Sequence, residues 1–261
     1  MNQAEQQLSN NYRTALIDLL YQMADDELTI GHRSSEWLGI APDLEEDIAF
    51  SSISQDEVGH ATFYFELLSE LGEGDPDKLA FARTKEKRQN ARVLERPNHD
   101  WAYTIARGYF YDVFDHIRLQ ELLQTNYTPL QKGVQKILRE ERYHLLHMET
   151  WFERLGVAKG EAKGRLENAV ITIWPDLTDL FSLGRSNEIL RKEGIFPISE
   201  SALSDKWTQQ VKPLFDRTEL MWPGTPHVMT GNGRLGVHTS DLQQLLDMMT
   251  EVYRSDLIAT W

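Results

Sequence analysis

Asp56-Glu57-Val58-Gly59-His60 and Glu140-Glu141-Arg142-Tyr143-His144 both spell acid-Glu-x-x-His. On a helix, residues i and i+3 share a face, so Glu57 points with His60 and Glu141 with His144. A carboxylate oxygen beside an imidazole nitrogen is half of a binuclear metal site. Two such helices, each joined to a helix carrying one more inward acid, complete a Glu/Glu-x-x-His ligand set in a helical bundle. One such pattern alone is more often surface coincidence than ligand pair. Two, each preceded by an acid, carry much more weight.

The elements that must position these residues are long antiparallel helices. In a helical hairpin, residues at equal height sit symmetrically about the loop. For Glu57 the mirrored acid is Glu27, 30 residues upstream. The midpoint is Pro42, inside Gly39-Ile40-Ala41-Pro42-Asp43, with Asp43 placed to cap the next helix. For Glu141 the mirrored acid is Asp112, 29 residues upstream, and the midpoint falls inside Gln124-Thr125-Asn126-Tyr127-Thr128-Pro129. Thr128 can cap there, with Pro129 at the first helical position. Asp115 lies one turn from Asp112 and can take its place.

The pattern predicts helices over 11–40, 43–71, 98–125 and 128–155, with 72–97 as a long connection. Further helices are expected over 161–182, bent at Pro175, and over 200–216 and 239–256, with 217–238 as a loop. The expected fold class is all-α: a ferritin-like four-helix bundle with one long crossover and extra C-terminal helices. One domain spans 1–261, its core at about 11–156 and its C-terminal extension at about 157–261.

The expected metal ligands are Glu27, Glu57, His60, Asp112, Glu141 and His144. Four carboxylates and two imidazoles suit two iron ions, with manganese as the other hard or borderline choice. Four carboxylates also balance two divalent ions. Asp56 and Glu140 are placed to accept the outer N–H groups of the histidines. Apolar neighbours, Phe50, Ile53, Val58 and Ala61 beside the first motif and Ile137, Leu138, Leu145 and Met148 beside the second, predict burial, where unpaired acids are costly.

Other groups rank lower. Arg83, Lys85, Lys87, Arg88, Arg92 and Arg96 form a basic island suited to a phosphorylated ligand or to an acidic partner, with Arg83, Lys85, Lys87 and Arg88 as the possible contacts. A solvated connector is the simpler reading of the same run. Glu36-Trp37 reads as packing or interface, and His32, His99, His116 and His147 as structural or exposed. The aromatic residues Trp101, Tyr103, Tyr109, Phe110, Tyr111 and Phe114 read as core.

Composition narrows the function classes. The 261 residues carry a net charge of −14, which argues against nonspecific nucleic-acid binding. Mean hydropathy is −0.48 and no long uncharged apolar run occurs, so no membrane span is expected. No secretory signal is visible at the N-terminus, and a cytoplasmic location is the simplest expectation. The sequence has no cysteine, which excludes disulfides, cysteine-ligated iron–sulfur clusters and thiol nucleophiles in this chain.

Several runs carry a family resemblance. They are Ser35-Glu36-Trp37, Leu71-Gly72-Glu73-Gly74-Asp75 and Thr104-Ile105-Ala106-Arg107-Gly108-Tyr109-Phe110. Glu141-Arg142-Tyr143-His144-Leu145 with Trp151-Phe152-Glu153-Arg154-Leu155-Gly156 is the most specific, and Thr230-Gly231-Asn232-Gly233 with Gly236-Val237-His238-Thr239 follows near the C-terminus. With these runs the chain resembles the C-type subunits of bacterial phenylacetyl-CoA epoxidases. The resemblance implies a ferritin-like subunit of a cytoplasmic multicomponent monooxygenase that epoxidises the ring of an aryl-CoA. It implies a homo- or hetero-oligomer whose partners are a paralogous catalytic di-iron subunit, a small bridging subunit, and a flavin and iron–sulfur reductase that supplies electrons. C-type subunits are usually structural and have lost metal ligands, whereas this sequence retains the full set. The alternatives are a metal-silent scaffold for the catalytic paralog and a ferroxidase or iron-storage protein. The C-terminal extension and basic connector argue against storage.

Overall fold

A computed structural model describes residues 9–227 and 231–256. Among these the structure is all-α, with no strand. Helix α1 (Asn10–Ser35) starts where Ser9 accepts a hydrogen bond from the Tyr12 N–H at 3.1 Å. Helix α2 (Leu44–Glu70) starts at the expected Asp43 cap, which accepts from the Glu46 N–H at 3.0 Å. Residues 36–40, expected as helix, form turns, and the chain reverses there. α1 and α2 pack along their length as a hairpin.

The connector holds two short helices, α3 (Pro76–Phe81) and α4 (Arg92–Glu95), around a 3-10 turn at Lys85–Lys87. The second hairpin is α5 (Trp101–Leu122), capped by Asp100, and α6 (Thr128–Val157). Thr128 is the first helical residue of α6 rather than its cap. Tyr127 holds the cap position without a side-chain bond, and Pro129 lies in the first turn. The two hairpins meet where α2 packs on α6.

The extension wraps this bundle. Helix α7 (Glu161–Ile173) stops just before Pro175, and 3-10 turns continue to Phe181 in place of the expected bent helix. Helices α8 (Asn187–Lys192) and α9 (Glu200–Thr218) follow, and α9 packs on α5 and α6. Trp207 of α9 is fully buried and donates its indole N–H to the Phe110 carbonyl at 2.9 Å. The last expected helix divides into α10 (Ser240–Met249) and α11 (Glu251–Ser255).

Two glycines set how closely the hairpin helices approach beside the acids. A Cβ on Gly31 of α1 would lie 2.9 Å from the Glu57 Cβ, and one on Gly108 of α5 would lie 2.9 Å from Met148 Sδ. Gly31 is one turn from Glu27 and Gly108 one turn from Asp112. The two hairpins therefore share one device at one height.

Candidate metal centre

Each of the four long helices delivers its expected acid to the bundle interior. Glu27, Glu57 and Glu141 are each 1% exposed, His144 and Asp112 3%, and His60 4%. Ligand atoms of Glu27, Glu57, His60 and Glu141 all lie within 4.8 Å of one another. His60 Nδ1 is 3.2 Å from Glu141 Oε1, 3.5 Å from Glu27 Oε2 and 3.7 Å from Glu57 Oε2. His144 Nδ1 is 3.1 Å from Glu141 Oε1 and 3.5 Å from Glu57 Oε1. The two imidazole centroids are 6.2 Å apart, one on α2 and one on α6.

The outer nitrogens make a crossed pair. His60 Nε2 meets Glu140 Oε2 at 3.0 Å, and His144 Nε2 meets Asp56 Oδ2 at 3.2 Å. The expected acceptors are both used, but each serves the histidine of the other hairpin. A carboxylate only accepts, so each Nε2 carries the proton. In the neutral ring this leaves the Nδ1 lone pair facing the carboxylates, the tautomer a metal ligand needs.

The two Asp candidates separate. Asp115 is fully buried and paired with Arg118, whose Nε is 2.8 Å from Asp115 Oδ1 and whose Nη2 also reaches it. Asp112 Oδ2 meets no hydrogen-bond donor. Its carboxyl is held well above the usual range by burial first, then by the charges of Glu141 and Glu57. Glu27 is raised in the same way, by burial and then by Glu57. For Glu57 burial acts upward, yet bonds with Glu27, His144 and His60 outweigh it and hold the carboxyl low. For His144 burial opposes the charged ring, but Glu141 and Glu57 push it up to about 12. His60 is raised too, burial being outweighed by Glu141, Glu27 and Glu57.

The donor set fits a divalent metal pair. Glu27 Oε2, Glu57 Oε2, Asp112 Oδ2, Glu141 Oε2 and His60 Nδ1 are buried and lack a hydrogen-bond partner. Leaving buried carboxylate oxygens without partners is costly, and these five atoms, four of them on residues grouped within 4.8 Å, suit a cation.

Several neighbours carry no clear mark in the sequence. Tyr111 donates its hydroxyl to Glu27 Oε1 at 2.9 Å, and Arg118 Nη2 lies 3.4 Å from the same oxygen. A tyrosine and an arginine at helical spacing from Asp112 and Asp115 are the only trace of this in the sequence. The basic island is not a solvated connector. Arg88 and Arg92 are buried, and Arg83 and Arg88 both bind Asp25 of α1; only Lys87 of the four proposed contacts Arg83, Lys85, Lys87 and Arg88 is exposed. Trp37 packs edge-on against Trp101 and donates to Thr104 Oγ1 at 3.0 Å, as a packing residue should. His147 pairs with Glu46 at 3.0 Å.

The chain is 32% identical over 234 residues to the C-type subunit of the 1,2-phenylacetyl-CoA epoxidase of Escherichia coli (strain K12), covering 89% of this chain and 94% of that protein. It is 26% identical over 169 residues to the A-type subunit of the same epoxidase, covering 62% of this chain and 52% of that protein. Among the described residues no helix is long and apolar enough to cross a membrane. The profile of the family described as "Phenylacetic acid catabolic protein" matches residues 1–261, and the chain belongs to that family.

Proposed function

We propose that this chain is a subunit of a multicomponent di-iron monooxygenase that epoxidises the aromatic ring of phenylacetyl-CoA. We further propose that Glu27, Glu57, His60, Asp112, Glu141 and His144 hold the two metals. The observation that carries the reading is the cluster of buried carboxylate and imidazole atoms without partners, four of whose residues lie within 4.8 Å of one another. Two bound irons would supply the redox chemistry that activates dioxygen for ring oxidation.

The chain's own residues do the rest. Glu57 and Glu141 lie between the two imidazoles and approach both Nδ1 atoms, so each would offer its carboxylate to metal held beside either ring. Asp56 and Glu140 fix the tautomer and plane of each ring. The buried helices keep bulk water from the ligands. With no cysteine to carry an iron–sulfur cluster, electrons reach this site from a separate reductase.

A second reading has its own support. The likeness to the C-type epoxidase protein spans nearly its whole length, whereas the likeness to the A-type protein spans about half of it. On that reading the chain holds a catalytic paralog in place. Metal content of the protein from iron-supplemented cells, followed by turnover of the assembled complex carrying Glu57→Ala, separates the two. About two irons per chain, with turnover lost in the variant, is the expected result. Full turnover in an assembled Glu57→Ala complex overturns a catalytic role for this site.

A further inference from the structure

A second buried charge system lies on the other side of α1, facing a cavity. The cavity, of about 470 Å³, opens between the connector and the segment that follows α9. Five cations line it: Arg83, Lys87, Arg88, Arg185 and Arg234. In a chain of net charge −14 this is an unusual concentration of one sign.

The local charge balance is positive. Arg83 Nη1 is 3.0 Å from Asp25 Oδ2 and Arg88 Nη1 is 3.1 Å from Asp25 Oδ1, so two guanidinium groups share one carboxylate. The Gln89 N–H also donates to Asp25, at 2.9 Å. One positive charge of the pair is left over. The Arg88 guanidinium is lowered to about 10, by burial first and with repulsion from Arg83 adding to it. Arg234 is 2% exposed, reaches Asp26 at 2.6 Å and the Gln89 carbonyl at 2.9 Å, and keeps its Nε without a partner. Lys87 and Arg185 stand exposed at the mouth and form no ion pair among the described residues. Of the two acids on the rim, Glu73 is engaged by the Tyr21 hydroxyl at 3.2 Å and by Arg13 at 3.6 Å, which leaves Glu86.

We propose that this cavity is a binding site for a phosphate-bearing anion of the nucleoside-diphosphate class. The exposed Arg185 guanidinium can match phosphate oxygens in pairs, Lys87 adds a point charge, and the buried arginines behind them supply the positive field. The volume falls in the range of small-ligand sites. Arg83, Arg88 and Arg234 are fixed in advance by Asp25, Asp26 and backbone carbonyls, so a ligand orders only Lys87 and Arg185. Coenzyme A and free adenine nucleotides both present this diphosphate. The inference stands independently of the metal site.

The test is isothermal titration of the full chain with inorganic pyrophosphate, ADP and coenzyme A in turn. Saturable binding at one site per chain is expected, weakened at least about tenfold by Lys87→Gln/Arg185→Gln, two charges at the mouth. Lys132→Gln/Arg139→Gln, which removes two exposed cations from α6, is the control and should change affinity less than about twofold. Tighter binding of coenzyme A than ADP identifies an acyl carrier as the source, and equal binding a free nucleotide; either supports the site. No saturable binding of the three probes, or equal weakening by both variants, overturns it.

Discussion

Asp25, Asp26 and Glu27 follow one another on α1, and none is more than 1% exposed. Their partners divide the molecule into two kinds of buried charge. Asp25 binds Arg83 and Arg88. Asp26 binds Arg118 at 2.8 Å and Arg234 at 2.6 Å, and accepts the Ala91 N–H at 2.9 Å. Glu27 turns into the bundle, where Tyr111 and Arg118 reach its Oε1 but its Oε2 has no donor and Glu57 lies beside it. In the arginine cluster the chain supplies its own cations. In the carboxylate–histidine cluster its own groups still leave oxygens of Glu27, Glu57, Asp112 and Glu141 without a partner. Burial of an acid is therefore no mark of a metal site by itself; burial among other acids, with oxygens that no donor reaches, is.

The sharpest way to break this comparison is to remove a cation from the first cluster and an anion from the second. Arg118→Leu strands Asp115 inside the bundle, takes one of the two arginines from Asp26, and should cost about 3–5 kcal/mol in urea unfolding. Asp112→Asn should cost the metal-free protein less than about 1 kcal/mol, or stabilise it. The sign follows from the raised Asp112 carboxyl: a buried acid whose folded pKa is raised destabilises the fold at every pH where the unfolded chain ionises it. Equal losses in the two variants would show that the carboxylate cluster is an ordinary structural network.

Metal addition sharpens the contrast from the other side. A divalent ion at a hundred times its dissociation constant should stabilise the wild-type chain by about 2.7 kcal/mol, read as a rise in Tm. Glu141→Ala/His144→Ala should abolish that rise and lower iron content, while Arg234→Gln should lower stability and leave iron content unchanged. A retained rise in the double variant would place the ions elsewhere.

The histidines give this effect a pH signature. The folded His144 lies near 12, above its value near 6.5 in an unfolded chain. Its contribution to metal-free stability is fully present below about pH 6.5 and lost progressively as pH rises toward 12. A metal must displace that proton from Nδ1, so metal affinity should rise over the same window, by about tenfold per pH unit for each proton displaced. Unfolding titrations between about pH 6.5 and 9 should show stability falling with pH without metal and nearly flat with it, because the gain in metal affinity cancels the loss. Parallel slopes would rule out proton displacement.

The unequal legibility of the two clusters has a physical cause. Glu57/His60 and Glu141/His144 lie at helical spacing, and hairpin symmetry places Glu27 opposite Glu57, so periodicity points to five of these buried residues and leaves the sixth open between Asp112 and Asp115. Arg234 is 208 residues from Asp26 and Arg83 is 58 from Asp25. No local period links such partners, and the connector's arginines read as solvent-facing although they turn inward. The helix ending at Ile173 is shorter than expected because Pro175 has no N–H for the next helical bond, and the one ending at Ser35 gives way to turns in which Gly39 takes a φ of +80°. The sequence leaves Asp112 and Asp115 as alternatives for a related reason: both lie on the inward face, and only Arg118, one turn on, tells them apart.

The crossed histidine bonds are the finest detail of the contrast between the two clusters. Sequence proximity pairs Asp56 with His60 and Glu140 with His144, since each acid lies four residues before a histidine. The structure exchanges them because α2 and α6 run antiparallel and each helix offers its acid sideways to the ring of the other. Asp56→Asn should weaken metal binding by about 10–100-fold, and Glu140→Gln similarly. Affinity cannot distinguish the pairings, but nitrogen-15 spectra of the imidazole rings can. Asp56→Asn should move the Nε2–H resonance of His144 and leave that of His60 in place, with Glu140→Gln doing the reverse. If each acid instead perturbs the histidine of its own helix, the two hairpins are not tied across the site. The acids would then orient the rings without fixing the distance between α2 and α6.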